Sequence, residues 1–191
     1  MNNYLFVHIP KTGGTSIRAA LNSINADSWI RDRSKIHHDT ITELLLYNQI
    51  STNTKIFSVV RNPYTRIISY YYHFNKINNS LISFNTFIDV IYNKIFIPST
   101  PFIMYDQTYF ISINNQIVVD NIFRYENLDE VEIFISTKLD HLNKGNYVES
   151  SLNLLDKSTI NKIQEIYYRD FKNFNYCLEP AIQKNGFYKI R

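Results

Sequence analysis

The chain alternates short apolar runs with longer stretches in which apolar residues recur at helical spacing. The runs rich in β-branched and aromatic residues, which are typical of buried strands, lie at residues 4–9, 55–60 and 122–125. Helical spacing predicts helices over residues 16–24, 63–75, 85–96, 128–139 and 158–171. The alternation predicts an α/β fold, with a mainly parallel central sheet flanked by helices, in one domain of residues 1–191.

Local signals add one further helix and a hairpin, and they indicate where another helix begins. Thr40 and Glu43 have the spacing of a capping box, which predicts the start of a helix that ends near Tyr47. Asn62 followed by Pro63 predicts the first residues of another helix, because asparagine caps helices and proline suits the first helical position. Residues 111–114 and 116–119 are predicted to pair as a hairpin that turns at Asn114 and Asn115.

Composition excludes several classes of protein. Hydrophobic residues make up 45% of the 191 residues, which rules out disorder as a description of the whole chain. The net charge of +3 is too small to favour nucleic acid, although it suits an anionic ligand. Cys177 is the single cysteine, so an internal disulfide and a multi-cysteine metal cluster are excluded. The sequence shows neither a signal-peptide pattern nor an apolar run of about 18 residues, so a cytoplasmic protein without a membrane span is expected.

Glycine is scarce, and half of it lies in one predicted loop. The chain has 4 glycines, and Gly13 and Gly14 stand together between the first strand and the first helix. Backbone N–H groups in such a loop can turn toward a phosphate, and the helix N-terminus adds positive potential. Lys11 supplies a point charge. The loop departs from a Walker A motif, in which the lysine follows the glycines; here it precedes them.

A second candidate anion site follows the strand at residues 55–60. Arg61 lies between this strand and the helix that Pro63 opens, and a guanidinium can bind a phosphate through two hydrogen bonds. Ser69 follows on the predicted polar face of that helix. Arg66 shares this face, and both a binding role and a structural role are open for it.

The two loops together resemble a known family. His8-Ile9-Pro10-Lys11-Thr12-Gly13-Gly14-Thr15-Ser16 and the stretch from Val60-Arg61-Asn62-Pro63 to Tyr70 are similar to the 5′-phosphosulfate loop and 3′-phosphate site of sulfotransferases that use 3′-phosphoadenosine 5′-phosphosulfate (PAPS). Residues 107–110, 123–128, 141–144 and 170–176 extend the likeness over nearly the whole chain. These stretches resemble the carbohydrate branch of the family, which includes heparan sulfate 2-O-sulfotransferase. The resemblance implies a P-loop-like fold of three layers.

The resemblance also implies roles for individual residues. Lys11 would contact the 5′-phosphosulfate and stabilise the leaving group, while Arg61 and Ser69 would hold the 3′-phosphate. Lys144 would close over the donor. His38 is the expected general base, with His37 as the open alternative. The remaining donors to the phosphosulfate are expected from Thr12, Gly13, Gly14, Thr15 and Ser16.

The implied reaction is sulfuryl transfer to an acceptor hydroxyl, with a glycan as the expected acceptor. PAPS is the expected donor and PAP (3′,5′-diphosphoadenosine) the product, and no metal is expected. An ATP-dependent P-loop kinase is a first alternative, against which the order of Lys11 and the glycines counts. A module that binds the nucleotide without catalysing transfer is a second alternative.

Overall fold

The computed structural model describes residues 3–24, 29–30, 38–48, 50–140 and 149–180. The chain divides into two compact units. The first unit comprises Met1–Arg61 and Gln107–Lys144, and the second comprises Asn62–Asp106 and Gly145–Arg191. That all 191 residues act as one domain stays a prediction.

Strands and helices alternate from residue 3 to residue 78, as the hydrophobic pattern predicts, and after that they occur in groups. In chain order the strands and α-helices are β1 (Asn3–Val7), α1 (Gly14–Ile24), β2 (Trp29–Ile30), α2 (Ile41–Tyr47), β3 (Thr54–Val60), α3 (Pro63–Asn78), α4 (Phe84–Tyr92), α5 (Gln107–Ile111), β4 (Ser112–Ile113), β5 (Gln116–Ile117), β6 (Asn121–Arg124), α6 (Asp129–Ile135), α7 (Lys157–Ile166) and α8 (Tyr168–Asn173). Short 3₁₀ helices span Pro101–Met104, Tyr125–Asn127 and Glu149–Leu154.

The central sheet belongs to the first unit and is parallel. Its strand order is β2-β1-β3-β6, and each neighbouring pair runs in the same direction. Val7 pairs with Ser58, and Val60 pairs with Arg124. The predicted α/β class with a parallel central sheet is therefore confirmed. Because the strands are parallel, the residues that follow β1, β3 and β6 lie at one edge of the sheet, where α/β proteins bind their ligands.

Helices cover one face of this sheet. Alternate positions of β1 and β3 point to the same side, because side chains alternate across a strand. They pack with apolar residues of α1 and α6 into a buried cluster, which contains Tyr4, Phe6, Ile17, Ala20, Leu21, Phe57, Val59, Val131, Ile135 and Leu139. Burial of this apolar surface anchors α1, and with it the loop that precedes α1, on the sheet.

The predicted local signals are confirmed. The Thr40 backbone N–H donates to a Glu43 carboxylate oxygen at 2.7 Å, and the Glu43 N–H donates to the Thr40 hydroxyl. Asn62 accepts from the Tyr64 backbone N–H at 3.0 Å at the start of α3. The β4–β5 hairpin turns at two asparagines in left-handed conformations, with φ values of 50° and 64°.

Several helix ends differ from the sequence prediction. The helix expected to reach residue 139 ends at Ile135, because Ser136 adopts a left-handed φ of 57°. The helix expected over residues 158–171 is divided at Tyr167, whose φ of −113° lies outside the helical range. Helix α4 ends at Tyr92, before residue 96. The short elements β2 and α5 were not predicted, because so few residues carry no periodic pattern.

The N-terminal half of α3 corrects the prediction of a polar face. Arg66 and Ser69 were expected on the polar side of this helix, but both are buried. Within the second unit the Arg66 guanidinium lies 4.0 Å from the buried Asp170 carboxylate and donates to the Tyr105 carbonyl. It also lies 5.3 Å from the centre of the Tyr70 ring, where burial raises the phenol pKa to about 12. These contacts support the structural role for Arg66.

Removing one partner of this buried ion pair should destabilise the second unit. We expect Asp170→Ala to lower the free energy of unfolding by about 3–5 kcal/mol, because the Arg66 charge stays buried without its carboxylate. The double change Arg66→Met with Asp170→Leu should cost less, because no uncompensated charge is left. Denaturant unfolding measures both. The control is Lys138→Ala, which removes the exposed partner of Glu132 and should have only a small effect. An equally small effect of Asp170→Ala would contradict the prediction.

Candidate active site

The glycine loop, which we define as residues 8–14, connects β1 to α1. Lys11 and Gly13 both have left-handed backbone, with φ values of 68° and 85°. For lysine this conformation costs about 1–2 kcal/mol, so other contacts must hold it. The Thr12 hydroxyl donates to the Ile9 carbonyl at 2.8 Å, and the Gly13 carbonyl accepts from the Ser16 N–H at 3.1 Å. The loop is thus folded back on itself immediately before α1 begins.

The start of α1 is suited to a negatively charged group. The first N–H groups of an α-helix have no acceptor within the helix, and the helix dipole makes this end positive. The first turn of α1 contains no acidic residue that would neutralise it. Thr15 in this turn is exposed, whereas Ser16 is buried, and Lys11 is half-buried just before the helix. A phosphate or sulfate group fits this arrangement.

Arg61 contacts the glycine loop directly. It follows the end of β3, and its guanidinium Nη1 donates to the Lys11 carbonyl at 3.1 Å. The guanidinium carbon lies 4.1 Å from the centre of the Tyr125 ring, which follows the neighbouring strand β6. Arg61 is 5% exposed. The adjacency of β1, β3 and β6 therefore brings these three residues together.

Two further contacts fix this cluster. The Gln107 amide oxygen accepts from the Arg61 backbone N–H at 2.7 Å, and its amide nitrogen donates to the Arg61 carbonyl at 2.8 Å. On the loop side, a Cβ atom added at Gly13 would lie 3.2 Å from the Tyr125 ring. Tyr125 thus packs on Gly13 and on the Arg61 guanidinium, and a side chain in place of Gly13 would press against this ring.

His38 contacts the first residue of the glycine loop. Its Nδ1 is 3.1 Å from the His8 carbonyl oxygen. Because a carbonyl only accepts, Nδ1 carries the proton in this contact, and the neutral ring then has its lone pair on Nε2. The His38 and His8 rings lie 4.4 Å apart between centres. The structure therefore joins His38 to the glycine loop in a tautomer that suits a base.

The other predicted site residues have different outcomes. Ser69 lies on α3 in the second unit, where it is 7% exposed. His37 and Lys144 lie outside the described residues. Within the described part of the chain, no group of three or more His, Cys, Asp or Glu side chains is arranged to hold a metal ion.

Sequence reasoning missed two residues that shape the site. Tyr125 was noted only as part of a motif, although its position directly after β6 places it at the ligand-binding edge of the sheet. Gln107 gave no signal as a site residue, because its amide contacts the Arg61 backbone across 46 positions of sequence.

The comparison with protein families identifies the chain at the level of a family. The model described as the sulfotransferase family matches residues 2–177. The chain belongs to the sulfotransferase family. The match includes the glycine loop, His38, Arg61 and Tyr125 in one alignment, so the clustered residues fall within a sulfotransferase domain.

Comparisons with individual proteins add little to the family assignment. No curated protein matches this sulfotransferase. Among solved structures, it is similar to a crystal structure of a sulfotransferase from Alicyclobacillus acidocaldarius, at 13% sequence identity and a TM-score of 0.45. That alignment covers 92% of this chain and 99% of the other. In the residues that the structure describes, no helix has the length and apolar character needed to cross a membrane.

Proposed function

We propose that this sulfotransferase transfers the sulfuryl group of PAPS to an acceptor hydroxyl. The observation that carries the proposal is the cluster at the carboxyl edge of the sheet. There the left-handed loop at Lys11, the start of α1 and the Arg61 guanidinium occur together. This arrangement gathers two cations and the positive end of a helix, which suits a donor that carries several negative charges.

The glycine loop is proposed to bind the 5′-phosphosulfate. The Thr12 hydroxyl donates to Ile9, so Thr12 would contribute through its backbone N–H. Gly13 and Gly14 would contribute through their backbone N–H groups, and the hydroxyls of Thr15 and Ser16 add donors. Lys11 would stabilise the charge that grows on the bridging oxygen as PAP leaves.

The 3′-phosphate is proposed to bind Arg61 together with Ser69, and Lys144 is proposed to close over the donor. The support for Ser69 and Lys144 is the family resemblance of the sequence. For Arg61 the structure adds a physical argument, because its charge is held in place by Tyr125 and by the Lys11 carbonyl. A guanidinium fixed in this way loses little side-chain entropy when a phosphate binds.

His38 is proposed as the general base, acting through Nε2. As the acceptor oxygen forms its bond to sulfur, the bond from sulfur to the phosphate oxygen breaks. The acceptor proton passes to Nε2, and the electron pair of the broken bond leaves with PAP. The contact of Nδ1 with the His8 carbonyl supports this role, since it stabilises the ring once Nε2 is protonated. His37 stays the alternative base.

The acceptor is proposed to be a carbohydrate hydroxyl. The support is the resemblance of both loops to the carbohydrate branch that includes heparan sulfate 2-O-sulfotransferase. A cytoplasmic location, expected because the sequence shows neither a signal-peptide pattern nor a long apolar run, stays a prediction.

Titration calorimetry with PAP and with ATP tests the donor. We expect PAP to bind and ATP, with or without Mg²⁺, to bind much more weakly, because Arg61 is proposed to bind a 3′-phosphate and ATP has none. Incubation with labelled PAPS and a panel of carbohydrates then tests transfer. Preferential binding of ATP would instead favour the kinase, and PAP binding without transfer to any acceptor would favour the binding module.

A further inference from the structure

We propose that the His8 side chain is a positioning residue, which sets the orientation of His38 against the glycine loop. The inference rests on the proposed function, because it assigns the base to His38. Its evidence is a row of ring contacts within the first unit. The His8 ring stacks on Phe6, with centres 5.7 Å apart and planes 19° apart. The His8 ring also contacts the His38 ring, with centres 4.4 Å apart and planes 61° apart.

The His8 ring also determines which residue can begin α1. A Cβ atom added at Gly14 would lie 1.9 Å from the His8 Cδ2 atom and 2.0 Å from Nε2. Gly14 has no left-handed φ to explain its identity, so its missing side chain serves to admit this ring. The imidazole therefore fills the space between the start of α1 and His38, and it is 8% exposed.

The backbone carbonyl and the side chain of His8 both contact His38. The backbone carbonyl accepts from His38 Nδ1, which selects the tautomer with the lone pair on Nε2. The side chain limits the tilt of the His38 ring, because a rotation toward Gly14 would meet the His8 imidazole. The position of the base relative to the donor loop thus depends on a ring that itself need not touch either substrate.

Two single variants and the double variant test this inference, because they show whether the effects of the two changes on kcat are independent. We expect His8→Ala to lower kcat by about 10–100-fold with little change in PAP affinity, since small misplacement of a base has effects of this size. Gly14→Ala alone should lower kcat at least as much, because its Cβ displaces the His8 ring. In the double variant the Gly14 change should lower kcat little further, because the His8 ring that it would displace is absent. The two losses of kcat should therefore not multiply.

Nitrogen NMR of the imidazoles gives a readout that a loss of stability alone would not move. At a pH where imidazole is neutral, His38 should show the Nδ1-protonated tautomer in the wild type. In His8→Ala the His38 ring should turn away from the His8 carbonyl, because no side chain limits its tilt, so a mixture of tautomers is expected. His8→Phe, which keeps a flat ring, should retain the wild-type tautomer and serves if the alanine variant does not fold. Unchanged His38 signals in His8→Ala, or multiplying losses of kcat, would overturn the inference. Changed signals with full activity in His38→Ala would instead overturn the assignment of the base.

Discussion

Replacing His38 with alanine should lower kcat for sulfuryl transfer by about 10²–10⁴-fold, the usual contribution of a positioned general base. PAP affinity should change little, because the phosphates are proposed to bind residues of the glycine loop and Arg61. The structure explains why the effect should be large. The His38 ring is held by the His8 carbonyl and the His8 side chain, so its replacement leaves no other described histidine in the same position.

Steady-state kinetics with PAPS and an accepted carbohydrate measure kcat, and calorimetry measures PAP binding on the same protein. His73→Ala is the matched control, since His73 is an exposed histidine of α3 with no proposed role. The pH dependence of kcat is a second test of His38 as the base. Protonated His38 cannot accept a proton, so activity should fall as the pH drops through the pKa of this imidazole, and that acidic limb should disappear in His38→Ala. If His38→Ala keeps full activity, His38 is not the base, and His37 becomes the proposed base.

The sequence pattern was sufficient for three of the four strands of the central sheet and for the edge at which the site lies. Strong β-branched runs identified β1, β3 and β6, and local capping signals at Thr40 and Asn62 fixed two helix starts. These features depend on residues close together in the chain. The breaks at Ser136 and Tyr167 were missed, because each depends on the conformation of a single residue within an otherwise helical pattern.

Tertiary contacts explain the remaining differences. A polar face was expected for α3 from its residue types, yet Arg66 is buried because Asp170 and the Tyr105 carbonyl, both far along the chain, satisfy its charge. In the site, too, contacts between residues that are distant in the sequence could not be predicted. The spacing of the sequence identified Lys11 and Arg61 separately, but only the strand order shows that the Arg61 side chain binds the Lys11 carbonyl.

Replacing Arg61 should weaken PAP binding by more than the loss of one phosphate contact. A hydrogen bond to a charged group contributes about 1.5–3 kcal/mol, or roughly 10–150-fold in affinity. Arg61→Ala also removes the donor to the Lys11 carbonyl, which helps to hold that lysine in its left-handed conformation. We therefore expect a loss at the upper end of this range or beyond it.

A nucleotide without a 3′-phosphate separates the two roles of Arg61. If Arg61 bound only the 3′-phosphate, Arg61→Ala would weaken PAP binding and leave the affinity for adenosine 5′-phosphosulfate unchanged. Because Arg61 also contacts the loop proposed to hold the 5′ group, we expect both affinities to fall, PAP by the larger factor. Calorimetry with each nucleotide measures this difference.

Three further variants test whether the effect depends on the guanidinium itself. Arg61→Lys keeps the positive charge but lacks the planar group that stacks on Tyr125, so it should restore only part of the PAP affinity. Tyr125→Phe keeps the ring beneath the guanidinium and beside Gly13, and should bind PAP nearly as well as the wild type. Tyr125→Leu removes the aromatic face and should weaken both nucleotides, as the loss of Arg61 does. If Arg61→Ala leaves PAP affinity unchanged, the 3′-phosphate assignment fails. If it weakens PAP alone, Arg61 binds the phosphate without holding the loop.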